Sequence, residues 1–528
     1  MRAAAPRSRS RSASPWRSAP AGSMTWGWSG TWTPALWTGR SRGWSTNGDH
    51  SPDSLVPGGR CVNSAGASGS CPLPGRNRRA GGRAARLASR AVGLVLSASC
   101  RRPHAVGRGF GEGSGGLMGG ESLTAAVRSG DVKAVTAILD AGGDPDAVDD
   151  RGTPALCLAV DGFDLATVEV LMRSARLDRV TDGQTPLLRA VDRGASDIVN
   201  ALINHGGQLW HKDREGRDAL TLARSWHETG AVAELRRRSG SAGTVRRETV
   251  RDEHGVSVEE VTLGGLTVRT GHSAILTALE PRYGIRTSFT ELLSRALAEP
   301  DVDHEIWWVT TDVLQQRRDR VTWDMSAALR DRPDPRERYS GAEVLRLFNL
   351  FDYSDEAPFD APLVDLFLPW AAREPDPRVL RPLTAGLSGA LDPRAERPLH
   401  DLARHADSEV RGWAVFGLRY GVDAGRRDAL ATVLACTRDE AAEVRRGACA
   451  ALVSAPADSE VSDALAACLT DETEEVRVTA AVQLALRDDS RGDEILAALD
   501  ATDVEGPYFG QLYDVGRHRR KTDSAAPR

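Results

Sequence analysis

The sequence predicts a mainly α-helical protein in which two tandem helical-repeat solenoids flank a small β-meander. Three observations support this fold class. Between the two arrays, apolar residues alternate with polar ones over residues 244–270, which is the period of a β-strand. In the last third of the chain, three Glu-Val-Arg triplets recur with their valines 34 and 32 residues apart (Val410, Val444 and Val476). In the first array, four alanines recur at intervals of 33, 31 and 33 residues (Ala126, Ala159, Ala190 and Ala223).

Residues 1–117 differ in composition from the rest of the chain. They contain 17 arginines, no lysine and three acidic residues, so this segment carries +14 and the remainder carries −19 of the net −5. Because no apolar period occurs, we expect a disordered leader. One interpretation is a basic arm whose tryptophans stack on single-stranded nucleic acid. The other, which the composition favours, is a leader from an overextended reading frame, with the true start at Met118.

Two helix starts organise the first array, over residues 121–238. Thr153-Pro154 and Thr185-Pro186 stand 32 positions apart, and each predicts a helix with Thr as the N-cap and Pro at the first helical position. The segment 185–190, Thr-Pro-Leu-Leu-Arg-Ala, resembles the ankyrin repeat, whose pattern is Thr-Pro-Leu-His-x-Ala with a period of about 33 residues. Leu188 stands where the family has His. The resemblance implies four stacked units, each with a β-turn and two helices.

The middle segment changes period at residue 244. Gly264-Gly265 predicts the two-residue turn of a hairpin. We expect the meander either to cover the last ankyrin-like helix or to belong to the active site of an enzyme. His254 and His272 lie near it, but no acidic residue or cysteine stands at metal-ligand spacing from either one. We therefore expect both to be surface histidines.

A cluster of acidic residues precedes two tryptophans. The run from Asp301 to Glu305 could be a metal cluster or the start of a helix, where acidic groups favour the positive end of the helix dipole. The helix start is the favoured interpretation, and it places Trp307 and Trp308 in the core behind it.

The last array has one buried helical stripe per unit. Val and Ala are four positions apart in each unit, which places both on one face of a helix, while the arginine after each valine is expected in solvent. The Asp-x-x-x-Glu-Val-Arg spacing at Asp439 and Asp471 resembles HEAT repeats, specifically the short kind first described in phycobilin lyases, over residues 361–500. That resemblance implies stacked helix pairs. Most such arrays only bind proteins, although lyases and DNA glycosylases occur among them.

Acidic residues gather where the HEAT-like helices start. In a stacked array these starts align, so we expect a negative strip along one edge. This strip predicts a protein partner with a basic contact surface. The candidate partner-binding residues are Asp407, Glu409, Asp439, Glu440, Glu443, Asp471, Glu474 and Glu475.

Several classes of protein are not indicated. There is no run of about 18 apolar residues, so we expect no membrane span. The seven cysteines form no Cys-x-x-Cys pair, which indicates reduced thiols in a cytoplasmic protein. Motifs for phosphate loops, catalytic triads and zinc proteases are missing. We therefore predict no catalytic residue, cofactor, metal or small-molecule ligand, and no nucleic-acid binding by the folded part.

Taken with the repeats, these observations predict a non-catalytic interaction scaffold or adaptor. The alternative is an enzyme or enzyme-maturation factor, lyase-like, that uses the HEAT-like array to hold a protein substrate. The predicted domains are a disordered leader, an ankyrin-like array, a meander with connecting helices, a HEAT-like array and a flexible tail (1–117, 118–240, 241–360, 361–503 and 504–528).

Overall fold

The computed structural model describes residues 123–251, 256–352, 354, 357–390, 392–499 and 506–525. Within these residues the chain forms 23 α-helices and one three-stranded sheet, which confirms the predicted fold class. The predicted leader over 1–117 and His254 lie outside the described residues. In the part of the chain that is described, every helix is too short or too polar to cross a membrane.

The ankyrin-like array contains four helix pairs. The recurring alanines are all buried between stacked helices, as predicted. Thr185 accepts a hydrogen bond from the backbone N–H of Leu188 and so caps its helix. Thr153 does not cap, because Pro154 occupies the N-cap position and the helix begins at Ala155; the Thr153 N–H donates to the Asp149 carboxylate at 2.7 Å. The helices are α1 (Leu123–Ser129), α2 (Val132–Asp140), α3 (Ala155–Asp161), α4 (Leu165–Met172), α5 (Pro186–Arg193), α6 (Ser196–Asn204), α7 (Ala219–Thr229) and α8 (Ala231–Ser239).

The predicted meander is an antiparallel sheet of β1 (Arg246–Arg251), β2 (Ser257–Leu263) and β3 (Leu266–Arg269), paired in that order. Gly264 and Gly265 make the turn with φ of +60° and +79°, values that glycine adopts readily. The inward side chains of β2 join the core of the ankyrin-like array, and β2 and β3 both contact α8. The sheet therefore covers the last ankyrin-like helix.

Fifteen further helices lie between residues 272 and 525 of the described chain. They are α9 (His272–Arg282), α10 (Phe289–Leu297), α11 (Glu305–Gln316), α12 (Arg320–Ala328), α13 (Pro335–Leu350), α14 (Asp360–Ala371), α15 (Pro377–Gly389), α16 (Glu396–Leu402), α17 (Ser408–Asp423), α18 (Arg427–Cys436), α19 (Ala442–Ala451), α20 (Ser459–Ala467), α21 (Glu474–Ala485), α22 (Asp493–Ala497) and α23 (Phe509–Ala525). Each odd-numbered helix from α1 to α19 packs against the next odd-numbered helix, so a single first row runs from the ankyrin-like array into the HEAT-like array.

The core follows this row. One apolar cluster spans α1 to α9 and the sheet, and a second spans α10 to α21. A small cluster that includes Ala278, Ile306 and Trp307 joins them at α9 and α11. The helices of the middle segment are therefore further helix pairs of the row rather than a connector between two separate arrays.

The burial of Trp308 and of His272 differs from what the sequence predicted. Trp308 is 37% exposed while Trp307 is buried, because adjacent helical positions point about 100° apart and cannot both face the core. His272, expected at the surface, is buried and stacks on Trp226 with ring centroids 4.4 Å apart. The run from Asp301 to Glu305 leads into the start of α11: His304 is the N-cap, its side chain accepts a hydrogen bond from the Ile306 N–H, and Glu305 lies in the first turn.

The end of the chain also differs from the expected flexible tail. Helix α23 contacts α21, and Val515 is buried in a small apolar cluster with Val478 and Leu496. Tyr508, Leu512 and Val515 lie four and three positions apart, so they form one apolar face. This short stripe was missed because it occurs once and has no repeat.

Candidate functional site

The predicted acidic strip lies at the starts of α17, α19 and α21. The three aspartates stabilise these starts directly. Asp407 accepts a hydrogen bond from the N–H of Val410, and Asp439 and Asp471 each accept one from the residue two positions later, at 2.9 Å. The expected stabilisation of each helix by its own acidic residue is therefore present.

Each aspartate is also held by an arginine from the preceding unit. Arg381, Arg411 and Arg445 approach Asp407, Asp439 and Asp471 to 2.6, 2.7 and 2.6 Å, and each guanidinium makes two hydrogen bonds to its carboxylate. We refer to these three pairs as the arginine ladder. The hydrogen bonds from Arg445 hold the pKa of Asp471 below its usual range. The aspartates of the predicted strip are thus neutralised within the chain.

The arginine after each valine of the repeats was expected in solvent, and this expectation is wrong for Arg411 and Arg445, while Arg477 is half-buried. Arg411 and Arg445 are only 6% and 9% exposed. Besides its aspartate, Arg411 donates to the carbonyl oxygens of His405 and Ala406, both at 2.9 Å. A guanidinium carries five N–H donors, so it can satisfy a loop and a carboxylate together.

The glutamates of the strip are less enclosed than the aspartates, although Glu440 still accepts a hydrogen bond from Arg411 at 3.2 Å. Glu440, Glu474 and Glu475 are exposed, and the side chain of Glu440 is 84% accessible. Glu409 and Glu443 are half-buried: Glu409 lies 3.0 Å from Arg381, and Glu443 accepts a hydrogen bond from the Ser408 hydroxyl at 2.9 Å. Glu472 is also exposed, with its carboxylate 3.6 Å from Arg445. We name the four exposed residues the glutamate patch: Glu440, Glu472, Glu474 and Glu475.

A second group of polar side chains converges between two helices beside the first row. Glu396 and His400 lie one turn apart on α16, and Asp428 lies in the first turn of α18. Candidate ligand atoms of the three residues all lie within 4.8 Å of one another. The Glu-x-x-x-His spacing was a usable signal in the sequence. The third residue comes 28 positions later, so spacing alone did not reveal the group.

The four described cysteines are buried free thiols. Burial raises the pKa of Cys157 and of Cys436 to about 11. Contact with Cys468, together with burial, raises the pKa of Cys449. The same contact lowers the pKa of Cys468, but this thiol is covered and lies within 3.6 Å of the Thr437 carbonyl oxygen.

Comparison with protein families identifies both arrays. The model for ankyrin repeats, in three copies, matches residues 123–213, and the model for HEAT repeats matches residues 396–487. The chain contains ankyrin repeats and HEAT repeats. The matched ranges fall inside the predicted 121–238 and 361–500.

Three curated relatives are similar to about a fifth of this chain. An ankyrin repeat-containing protein of Treponema pallidum is 32% identical over 106 residues, which is 20% of this chain and 36% of the relative. A homologue of transient receptor potential cation channel subfamily A member 1 from Caenorhabditis elegans is 32% identical over 107 residues, covering 20% of this chain and 9% of the relative. Palmitoyltransferase AKR1 of Lachancea kluyveri is 29% identical over 97 residues, covering 18% of this chain and 13% of the relative.

The chain thus spans little more than a third, at most, of the length of these curated relatives. Among solved structures, the X-ray structure of YibA from Escherichia coli covers 44% of this chain and 81% of its own, with 17% identity. The TM-score of 0.34 is too low to support an argument from that likeness.

Proposed function

We propose that this protein is a non-catalytic interaction scaffold whose HEAT region holds a protein with a basic contact surface. Ankyrin and HEAT repeats are typical of protein-interaction scaffolds. The observation that supports the partner's charge is the glutamate patch, in which four carboxylates at the starts of α19 and α21 stay accessible.

The eight acidic residues predicted from the sequence then divide into two roles in this proposal. Asp407, Asp439 and Asp471 hold the repeat stack together through the arginine ladder. The exposed glutamates attract the partner, with Glu409 and Glu443 at the margin of the contact. Exposed charges of one sign raise the rate of association with an oppositely charged surface more than they raise its final affinity.

The cysteines favour this role over a lyase-like one. A thiol that takes part in covalent transfer reacts as the thiolate and needs access to its substrate. Cys157 and Cys436 are covered, and their pKa of about 11 keeps them protonated at neutral pH. We place the protein in the reducing cytoplasm, where such thiols persist.

The test measures association between the full chain and a protein that co-purifies with it from its native cell. We expect the association rate to fall at least roughly tenfold between about 0.1 M and about 0.5 M salt, since the Debye length is about 10 Å at 0.1 M and shrinks as salt rises. A variant with the patch residues Glu440, Glu472, Glu474 and Glu475 changed to Gln should show a slower association rate at low salt and a flatter salt response.

A matched control removes the same charge elsewhere. Asp401, Asp423, Glu460 and Glu494 are also exposed and lie away from the starts of α19 and α21, so their change to Asn and Gln should leave the rate close to that of the natural chain. A flat salt response in the natural chain, or equal effects in the two variants, would contradict the electrostatic part of the proposal. An apolar contact would then be the better account.

A further inference from the structure

The group at α16 and α18 combines imidazole and carboxylate side chains, the types that bind divalent cations in proteins. His400 supplies an imidazole, and Glu396 and Asp428 supply carboxylates, so one nitrogen and two oxygen ligands converge. The two helices belong to neighbouring HEAT units, and both pack against α17. Such a mixed set suits zinc and similar first-row ions, whereas magnesium and calcium prefer oxygen ligands alone.

The orientation of His400 supports a ligand role. Its Nδ1 lies 2.8 Å from the hydroxyl oxygen of Thr432 on α18. In the tautomer that donates from Nδ1, the lone pair lies on Nε2, which is 3.8 Å from Asp428 Oδ2. That Nε2 atom is buried and has no hydrogen-bond partner. Metal-binding histidines are commonly fixed in this way by a hydrogen bond at the other ring nitrogen.

Two further contacts shape the group. Arg426 lies 2.5 Å from Glu396 Oε2, so this carboxylate already has one cationic neighbour and its second oxygen remains as a ligand. Gly421 on α17 leaves the space that the group needs: a Cβ there would lie 2.6 Å from the Ala429 side chain and 3.2 Å from Glu396 Oε1. The site therefore carries one net negative charge with a neutral histidine, which still favours a divalent cation.

We propose that Glu396, His400 and Asp428 bind one zinc-class divalent cation, with water completing the coordination. Zinc bonds of about 2.0–2.2 Å place tetrahedral ligand atoms roughly 3.4 Å apart, so Asp428 Oδ2, at 3.8 Å from His400 Nε2, must move slightly closer on binding. The side chain of Asp428 is 74% exposed and can make this movement. The bound ion would join α16 to α18 and so brace two successive HEAT units.

The test uses the full chain, stripped with a chelator and titrated with zinc by calorimetry. We expect saturation at one equivalent with a dissociation constant in the micromolar range and a zinc-dependent rise in melting temperature. His400→Gln and Asp428→Asn should each weaken binding at least tenfold. Cobalt in place of zinc gives visible absorption bands that should vanish in His400→Gln.

The matched control is His518→Gln. His518 Nε2 lies 3.0 Å from Asp488 in a histidine–aspartate pair that forms no three-ligand group among the described residues. Zinc binding by this variant should equal that of the natural chain. The proposal is overturned if saturable binding is missing up to about 1 mM zinc. It is equally overturned if His400→Gln and Asp428→Asn both leave the zinc affinity unchanged. Because Asp428 is mostly exposed, its substitution should not disturb the fold.

Discussion

At the scale of single residues, His272 has an environment that no local pattern in the sequence indicated. It stacks on Trp226, whose ring nitrogen donates to Asp192 at 2.9 Å. The central guanidinium carbon of Arg238 lies 4.5 Å from the centroid of the Trp226 ring, and Arg238 also donates two hydrogen bonds to Asp192. These residues come from four different helices, so spacing in the sequence could not bring them together.

Burial of His272 makes stability depend on pH. Burial lowers the pKa of His272 to about 4, from an ordinary value of 6.5. Above pH 6.5 the residue is neutral in both the folded and the unfolded chain, so it does not make the free energy of unfolding depend on pH. Between pH 6.5 and about 4 only the unfolded chain takes up the proton, so the free energy of unfolding should fall by about 3 kcal/mol.

Urea titrations at pH 7 and pH 4.5 check this prediction, with His272→Gln beside the natural chain. The variant keeps a polar side chain but cannot titrate, so its stability should fall less between the two pH values. The same loss in both proteins would assign the effect to carboxylates instead.

At the scale of elements, the sequence predicted helices better than it predicted their contacts. Val444 and Ala448 are both fully buried, as their spacing on α19 required. Arg445 is the residue directly after Val444, and in an isolated helix it would face solvent. It is covered because the next unit places Asp471 beside it, 26 positions away. A helical wheel describes one helix, and the arginine ladder exists only between helices.

The ladder should contribute to stacking. Arg411→Met removes the guanidinium that neutralises Asp439 and bonds the carbonyl oxygens of His405 and Ala406, so we expect the free energy of unfolding to fall by about 2 kcal/mol or more. Arg438→Met, at an exposed position one residue before Asp439, is the control and should cost about 0.5 kcal/mol or less.

Denaturant titrations of these variants check the prediction. Adding Asp439→Asn to Arg411→Met should restore part of the loss, because the second change removes the unpaired charge. Equal stabilities for the Arg411 and Arg438 variants would mean that the ladder does not hold the units together.

At the scale of the whole molecule, the first row of helices is continuous where the sequence indicated two arrays. The two repeat periods were readable because small and apolar residues recur in register. Helices α9 to α14 have no such recurrence, since their core uses larger and more varied side chains such as Trp307, Trp323 and Phe348. Their place in the row follows from contacts of α9 with α7 and of α13 with α15.

Because the row is continuous, we expect a destabilising substitution in the central helix α13 to destabilise the helices on both sides of it. Gly341 on α13 lies so close to its neighbours that a Cβ would stand 2.5 Å from the Ser326 carbonyl oxygen. Gly341→Ala should therefore force the helices apart, at a cost of about 1–3 kcal/mol. In a stack where each unit depends on its neighbours, amides of both α11 and α15 should exchange about tenfold faster for each 1.4 kcal/mol lost.

Gly447→Ala is the matched control, because Gly447 is also helical and a Cβ there meets nothing within 4 Å. It should not speed exchange in α11 or α15, since alanine is more favourable than glycine within a helix. Hydrogen exchange followed by mass spectrometry resolves these helices separately. If α13 were a loose connector between two independent arrays, Gly341→Ala would speed exchange in α13 alone. Acceleration on both sides, in α11 as well as α15, is the result that a single row requires.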